Sequence, residues 1–201
     1  SISSYKELNS VYRAVTITED DLLMIQGAPS LRRQFLDSLI LMLNSSHAAL
    51  LQKYRAILHN RNALVSRGRV DDESYILWTN QLLAVSQVIQ QARKEAVAVL
   101  EKEAQELFVN VFAIPFDGPA LTISYEYASP YKDMEACITA ETLIERYPSL
   151  KEQELRQKRT LFGAHLDDIS ITYLGKSCRT YSSRGQQKLV LFLLKMAQLQ
   201  A

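Results

Sequence analysis

With 201 residues, 47% of them hydrophobic, the chain fits one or two globular domains with a real core. Its 23 Lys and Arg are nearly balanced by 22 Asp and Glu, so no global basic charge announces nucleic acid, although local patches can still bind it. Cys137 and Cys178 stand without a CxxC or a His-rich partner segment, which argues against zinc and for two reduced thiols in a cytoplasmic protein. No apolar run approaches the roughly 20 residues that span a bilayer, and residues 1–5 have neither the basic region nor the apolar core of a signal peptide, so a soluble intracellular protein without membrane partners is expected. The chain opens on Ser1 and its last helix stops abruptly at Ala201, as expected of a piece of something longer.

Residues 11–17 are rich in β-branched and aromatic side chains and predict a strand. Pro29 or Ser30 then opens a helix over residues 31–40, with Leu31, Phe35, Leu36, Leu39 and Leu43 on its apolar face. Arg32 and Arg33 fall off that face, either as solvated charge or as phosphate contacts. Residues 44–46 interrupt and cap a second helix, in which Leu50, Leu51, Tyr54, Ile57, Leu58, Arg61, Leu64 and Val65 recur at steps of three and four. Gln52, Lys53, Asn60 and Arg67 lie opposite. Gly68 supplies a stop, and residues 71–73 place negative charge where the dipole of a third helix favours it, so the short link implies antiparallel neighbours.

The third helix is predicted from about 72 to 108, with no internal Gly or Pro. Leu82, Val85, Ile89, Ala92, Ala96 and Val99 form a heptad-like seam along it. At about 1.5 Å per residue it would extend roughly 50 Å, long enough to project as an arm, while a plain helical bundle explains the same periodicity. After a break at 113–119, residues 121–127 alternate as a strand, and helices are predicted over 134–147 and 150–158, parted by Pro148 and Ser149. The second ends in the basic residues Arg156, Lys158 and Arg159, which are solvated surface or a nucleic-acid contact. Residues 169–174 alternate again, and Gly175-Lys176 reads as a hairpin turn into 177–180.

A polar turn over 181–188 then runs into the apolar helix 189–197. Serine at a helix start caps orphan N–H groups, Gly185 lets backbone approach a ligand, and the helix dipole leaves partial positive charge there, so the turn can hold an anion. The same pattern also describes an ordinary capped core helix, and both readings stand on these residues alone. No catalytic or metal-binding set is expected: His47, His59 and His165 share no ligand spacing, and Asp167-Asp168 follows a run broken by Gly163 and His165 rather than a buried apolar strand. The pattern GxxxxGK[ST] does not occur, so the chain carries no phosphate-cradling loop of its own.

Three separated stretches, 24–37, 58–64 and 162–169 leading to 179–188, in their order and spacing, resemble the bacterial RecF family of DNA replication and repair proteins. Ala164 and Leu166 stand where that family usually has Pro and Arg, and Ala28 where it has Gly. The resemblance implies an α+β, mostly helical fold: a long antiparallel helical arm with short strands, inserted in part of an ABC-type ATPase head of the kind found in SMC proteins. It implies head segments at 1–26 and 159–201, the latter with the signature motif, and a helical arm at 27–158. Ser183, Arg184, Gly185 and Gln186 match the motif that contacts ATP held by the partner subunit. Arg32, Arg33, Arg156, Lys158 and Arg159 are the candidate DNA contacts. Also implied for the full-length protein are ATP and Mg²⁺ as cofactors and a homodimer formed on ATP. Double-stranded DNA with gaps or junctions and recombination mediator proteins are the other partners. The Walker A and Walker B segments are expected outside the chain, which should hold no cofactor and turn over no ATP by itself. The reading from a different class is a helical protein-interaction module whose serine turn is only a cap.

Overall fold

The computed structural model describes residues 16–112, 118–127 and 139–201, and these form the expected mostly helical α+β chain with one small sheet. The strand expected at 11–17, the first part of the helix expected at 134–147 and Cys137 lie wholly or largely outside the described residues. Among the described residues no helix is long and apolar enough to cross a membrane. Contacts group the described residues into two compact units, one of those within 1–45, 93–125 and 168–201, the other of those within 46–92 and 126–167.

The first unit opens with a 3-10 turn, Glu19–Leu22, and a single helical turn, α1 (Leu23–Gln26). Thr18 and Asp21 cap the entry: Asp21 Oδ2 accepts from the Thr18 N–H at 2.7 Å. Helix α2 (Pro29–Leu43) starts on proline, whose missing N–H costs nothing at a first helical position, and buries Phe35, Leu36, Leu39 and Ile40. The second half of α4 (Asp72–Phe112) belongs here, as do β1 (Leu121–Glu126), β2 (Asp168–Tyr173), β3 (Lys176–Ser177), the one-turn α7 (Cys178–Tyr181) and α8 (Arg184–Gln200).

The sheet runs β1-β2-β3, and β2 meets β3 antiparallel with Thr172 opposite Ser177 and Tyr173 opposite Lys176. The hairpin turn is Leu174-Gly175, one residue earlier than expected, with both residues at positive φ (52° and 75°), the geometry of a tight two-residue hairpin. Of the strand expected over 177–180, Ser177 pairs in β3, while residues 178–180 coil into α7 instead. Beside β1, Gln105 Oε1 and Glu101 Oε1 of α4 accept from the N–H groups of Leu121 and Ile123, at 3.1 and 3.4 Å, so those edge donors are satisfied by side chains. Phe108 packs edge-on against Tyr173 with centroids 6.1 Å apart, closing a small cluster with Ala120 and Leu193.

The second unit holds α3 (His47–Val65), the first half of α4, α5 (Ala140–Arg146), α6 (Leu150–Gln157) and the segment up to Asp167. The apolar face expected for α3 is observed, with Leu51, Tyr54, Ile57, Arg61 and Val65 buried. Ser46 is not the expected side-chain cap: its backbone is already helical and its hydroxyl accepts no cap bond. Helix α4 spans 41 residues, longer than predicted, and Asp71 caps it by accepting from the Ser74 N–H at 2.7 Å.

The buried seam of α4 differs from the apolar one in the sequence. Tyr75, Thr79, Leu82, Ser86 and Ile89 in this unit, and Arg93, Ala96, Leu100, Ala104 and Phe108 in the other, recur at threes and fours. Val99 is 38% exposed and leaves the seam. Polar side chains occupy it because each finds a partner. Arg93 forks onto Asp37 at 2.9 Å through two nitrogens, and Gln90 donates to Asp167 at 2.7 Å.

Arg61, wholly buried, organises the second unit. It donates to both Glu154 carboxylate oxygens (3.0 and 2.7 Å), to Thr160 Oγ1 and to Thr79 Oγ1, and its guanidinium lies 4.6 Å from the Phe162 ring centroid. Tyr75 donates to the same carboxylate at 2.7 Å, and burial together with that negative charge pushes its phenol far above the ordinary range. Removing one member of such a pair strands the other charge, at a cost of about 3–5 kcal/mol. Glu154→Leu is therefore expected to lower the unfolding free energy in urea by about that amount, and the double change Arg61→Met with Glu154→Leu to recover most of it. A single variant as stable as the unaltered chain would show that the pair does not hold this unit together.

Candidate functional site

The serine turn is built by a reciprocal cap. Ser183, extended at φ −63° and ψ 161°, accepts at its Oγ from the Gln186 N–H (3.3 Å), while Gln186 Oε1 accepts from the Ser183 N–H (2.8 Å). Two first-turn donors, the N–H groups of Arg184 and Gly185, keep no acceptor among the described residues and sit at the positive end of a 17-residue helix. All four residues of the turn are exposed. A Cβ built on Gly185 would meet no described atom within 4 Å, and its backbone is not left-handed, so nothing among the described residues demands glycine there.

What fixes the turn lies one residue further on. Gln187 is buried; its Nε2 donates to the Cys178 carbonyl at 3.1 Å, and its Oε1 accepts from Gln26 Nε2 at 2.5 Å. The helix is thus pinned to α7 and to the end of α1. Cys178 itself is a buried free thiol, and burial raises its pKa.

Acidic residues of the 3-10 turn face the basic side of α8. Glu19 bonds Lys188 Nζ at 2.5 Å and Arg184 Nη2 at 3.3 Å, and Asp21 bonds Lys195 Nζ at 3.0 Å. The Lys188 hydrogen bond and charge hold the Glu19 carboxyl below its usual range, so the clamp is released only as pH falls through that lowered value. The exposed members of this cluster exchange readily with solvent and salt. Asp21 is lowered too, because the Thr18 and Lys195 hydrogen bonds outweigh the opposing effect of burial.

Of the candidate DNA contacts, Arg32 lies in the interior of the first unit. It is 3% exposed and spent inside the first unit, forking onto Asp168 (2.6 and 2.9 Å) while Nη1 donates to the carbonyls of Met24, Ile25 and Gly27 (3.2, 3.4 and 2.9 Å). Arg33 is half-buried and already partnered. Arg156, Lys158 and Arg159 are exposed together at the end of α6, in the second unit, where Lys158 closes the helix in the left-handed conformation. The carboxylates Asp167 and Asp168 are absorbed by Gln90 and Arg32 within their own units. His165 is hydrogen-bonded through Nδ1 to the Tyr54 hydroxyl at 2.7 Å.

That hydroxyl explains a glycine in the stretch that carries the resemblance. Gly163 sits at φ 108°, and a Cβ there would come within 2.8 Å of Tyr54 Oη and 3.0 Å of Ser86 Oγ. Glu19, Gln26 and Gln187 escape sequence reasoning, because exposed-looking polar residues more than 160 positions apart carry no periodic signal that pairs them.

No family model matches the chain. It is similar to the DNA replication and repair protein RecF of Desulfitobacterium hafniense (strain DSM 10664 / DCB-2), 32% identical over 190 residues, covering 92% of this chain and 50% of the relative. RecF of Chlorobaculum tepidum is 32% identical over 187 residues, covering 90% and 50%, and that of Chloroherpeton thalassium 28% identical over 200 residues, covering 98% and 54%. The solved structure of the recombination mediator protein RecF-ATP in the RecFOR pathway superposes with a TM-score of 0.76 at 23% identity, over 92% of this chain and 49% of that one. The corresponding RecF-ATPrS structure gives 0.75 at 22%. At these identities the structures speak for the fold. Over about nine-tenths of its residues, then, the chain matches RecF proteins in sequence and in fold, and it spans about half the length of the curated relatives it matches.

Proposed function

We propose that this chain is the arm and signature region of a RecF-type, ATP-dependent protein of DNA replication and recombinational repair. It would act in the cytoplasm on double-stranded DNA at gaps or junctions, and with recombination mediators to load a recombinase. Support for the DNA role comes from the relatives, which are DNA replication and repair proteins, and from a solved neighbour described as RecF-ATP in the RecFOR pathway. Within the chain, the observation that carries the nucleotide reading is Gly185: a glycine that the fold does not need, beside a capping serine, at the exposed N-terminus of a long helix.

The turn has the donors an anion needs. The N–H groups of Arg184 and Gly185 point out of the helix end, the dipole adds partial positive charge, and the missing Cβ lets an oxyanion approach the backbone. In this reading the γ-phosphate belongs to ATP–Mg²⁺ held by the opposed copy, and its binding and hydrolysis join and release the two heads. Ser183 orients the turn and presents its hydroxyl, Gln187 keeps α8 from sliding, and Glu19 occupies Arg184 and Lys188 until an anion competes for them. The same cap would serve a plain interaction module, so the variants must separate folding from nucleotide contact.

Gly185→Ala does that. Alanine is the better helix former by up to about 1 kcal/mol and meets nothing at this position, so the melting temperature is expected to hold or rise. In a chimaera that adds the half of a RecF relative this chain does not match, the same change and Ser183→Arg are both expected to abolish ATP-dependent dimerisation, read by light scattering. A chimaera that dimerises on ATP as before with both changes would leave the serine turn as a cap. The 201 residues by themselves, which contain no GxxxxGK[ST], are expected to turn over labelled ATP with Mg²⁺ no faster than buffer. Hydrolysis that scales with added chain would overturn this.

A further inference from the structure

Among the described residues, some cations are neutralised by a carboxylate within reach and others are not. Arg32, Arg61, Arg93, Arg184, Lys188 and Lys195 are each tied to a carboxylate. Lys53 and Arg55 on α3 and Arg67 and Arg69 in the turn after it, all in the second unit, are exposed and in no ion pair with a described residue; Lys176 and Arg179 of the first unit share that state but stand apart from one helix face. The cause lies in the sequence: between Asp37 and Asp71 there is no Asp or Glu at all, and the one buried cation of that stretch, Arg61, is neutralised by Glu154 from α6.

Helical spacing sorts these cations. Lys53 and Asn60 lie seven residues apart on one flank of α3, with Arg67 a further seven along, just past the helix end. Arg55, His59 and Asn62 follow one another at steps of four and three on the other flank. There Asn62 Oδ1 accepts from the Thr160 N–H at 2.8 Å, which brings the exposed Lys158 and Arg159 beside that flank. From Lys53 to Arg67 the face runs about 20 Å, on the order of six base-pair steps.

We infer that the solvent face of α3, with the turn behind it, is a docking surface for the phosphate backbone of double-stranded nucleic acid. This inference rests on the DNA role proposed above and replaces Arg32 and Arg33 as its contacts. Charge without apolar anchors decides the class of partner. No large hydrophobic side chain is exposed on α3, on the turn after it or on α6, whereas a protein interface would centre on buried aromatic or aliphatic anchors. Single-stranded nucleic acid would need exposed aromatics for stacking, and the aromatic residue of α3, Tyr54, is 4% exposed. Cations spread along a helix suit a duplex backbone read without regard to sequence.

The test is fluorescence anisotropy with the whole chain, a short labelled blunt duplex, the matching single strand, and polyglutamate as competitor, over about 50–200 mM salt. Tight duplex binding is expected, with weaker single-strand binding and little competition by polyglutamate. Changing Lys53, Arg55, Arg67 and Arg69 together to Gln should weaken duplex binding at least about tenfold and flatten the log–log salt slope by about 3 to 4. Lys53→Gln and Arg67→Gln singly should each flatten it by about 1. Unchanged affinity and slope in these variants would overturn the surface and leave the DNA role standing on other residues. Failure of the unaltered chain to bind duplex would overturn both. Preference for polyglutamate would make the face an acidic-protein site instead, and preference for single strand would exclude the duplex geometry. The ATP-dependent pairing assay is blind to all of these outcomes.

Discussion

The first unit depends on one buried guanidinium. Arg32 reaches Asp168 at the start of β2 through two nitrogens and three backbone carbonyls around the end of α1 through the third. Helix α1 is a single turn, far below the length at which a helix persists unaided, and its last carbonyls would otherwise be orphaned. Hydrogen bonds to a charged group contribute about 1.5–3 kcal/mol each, while burying the charges costs several, so the net gain is modest and the geometric specification large. With Asp168 fixed, the path to the serine turn has little slack. Six residues of β2, a two-residue hairpin, two residues of β3 and one turn of α7 lead to Ser182. Gln187 then ties α8 back to Gln26, the last residue of that same α1. The exposed turn is precise because its two ends are anchored to the same buried corner.

Much of this was legible. Pro29 as a helix start, the three-four spacing of α3, the unbroken run behind α4 and the alternation of β1 and β2 follow from local rules, and they hold because local preference and burial agree there. The serine turn was legible as a helix start for the same reason. Failures fall where a polar side chain finds a distant partner. Arg32 on α2 reads as solvated charge because its carboxylate lies 136 residues away. Thr79, Ser86 and Arg93 break the apolar seam of α4 in the sequence, yet they lie on its buried stripe, and counting only hydrophobic residues puts Val99 in their place. The hairpin is displaced by one residue because Leu174 accepts a positive φ that leucine rarely adopts, a choice made by strand register rather than by residue preference.

The near-zero net charge of the chain has a structural content that the total hides. Balance is reached by pairing: the acids of the 3-10 turn hold the cations of α8, Glu154 neutralises Arg61, and Asp37 holds Arg93. Pairing of this kind needs an acid within reach, and the stretch from 38 to 70 has none of its own. Its single buried arginine recruits Glu154 from another helix, and its exposed cations are left with solvent. A composition that excludes a globally basic protein is thus compatible with a locally basic face.

Two of the glycines in the resembling stretches, Gly163 and Gly185, show how such residues separate from structural ones. Gly163 is demanded by the fold, since a left-handed backbone pressed against Tyr54 and Ser86 admits no side chain. Its presence there says nothing beyond packing. Gly185 is demanded by nothing among the described residues: its backbone is ordinary, no described atom lies over it, and alanine would make the better helix. A residue that lowers helix propensity without relieving a contact points to a contact made by something else. In the reading proposed above, the N–H groups left unbonded at the helix N-terminus around Gly185 suit an anion, and Lys53, Arg55, Arg67 and Arg69, which have neither a paired carboxylate nor an exposed apolar anchor among the described residues, suit a polyanion. At both places the fold leaves polar groups unsatisfied, and the turn can lose its anion without the face losing its polyanion.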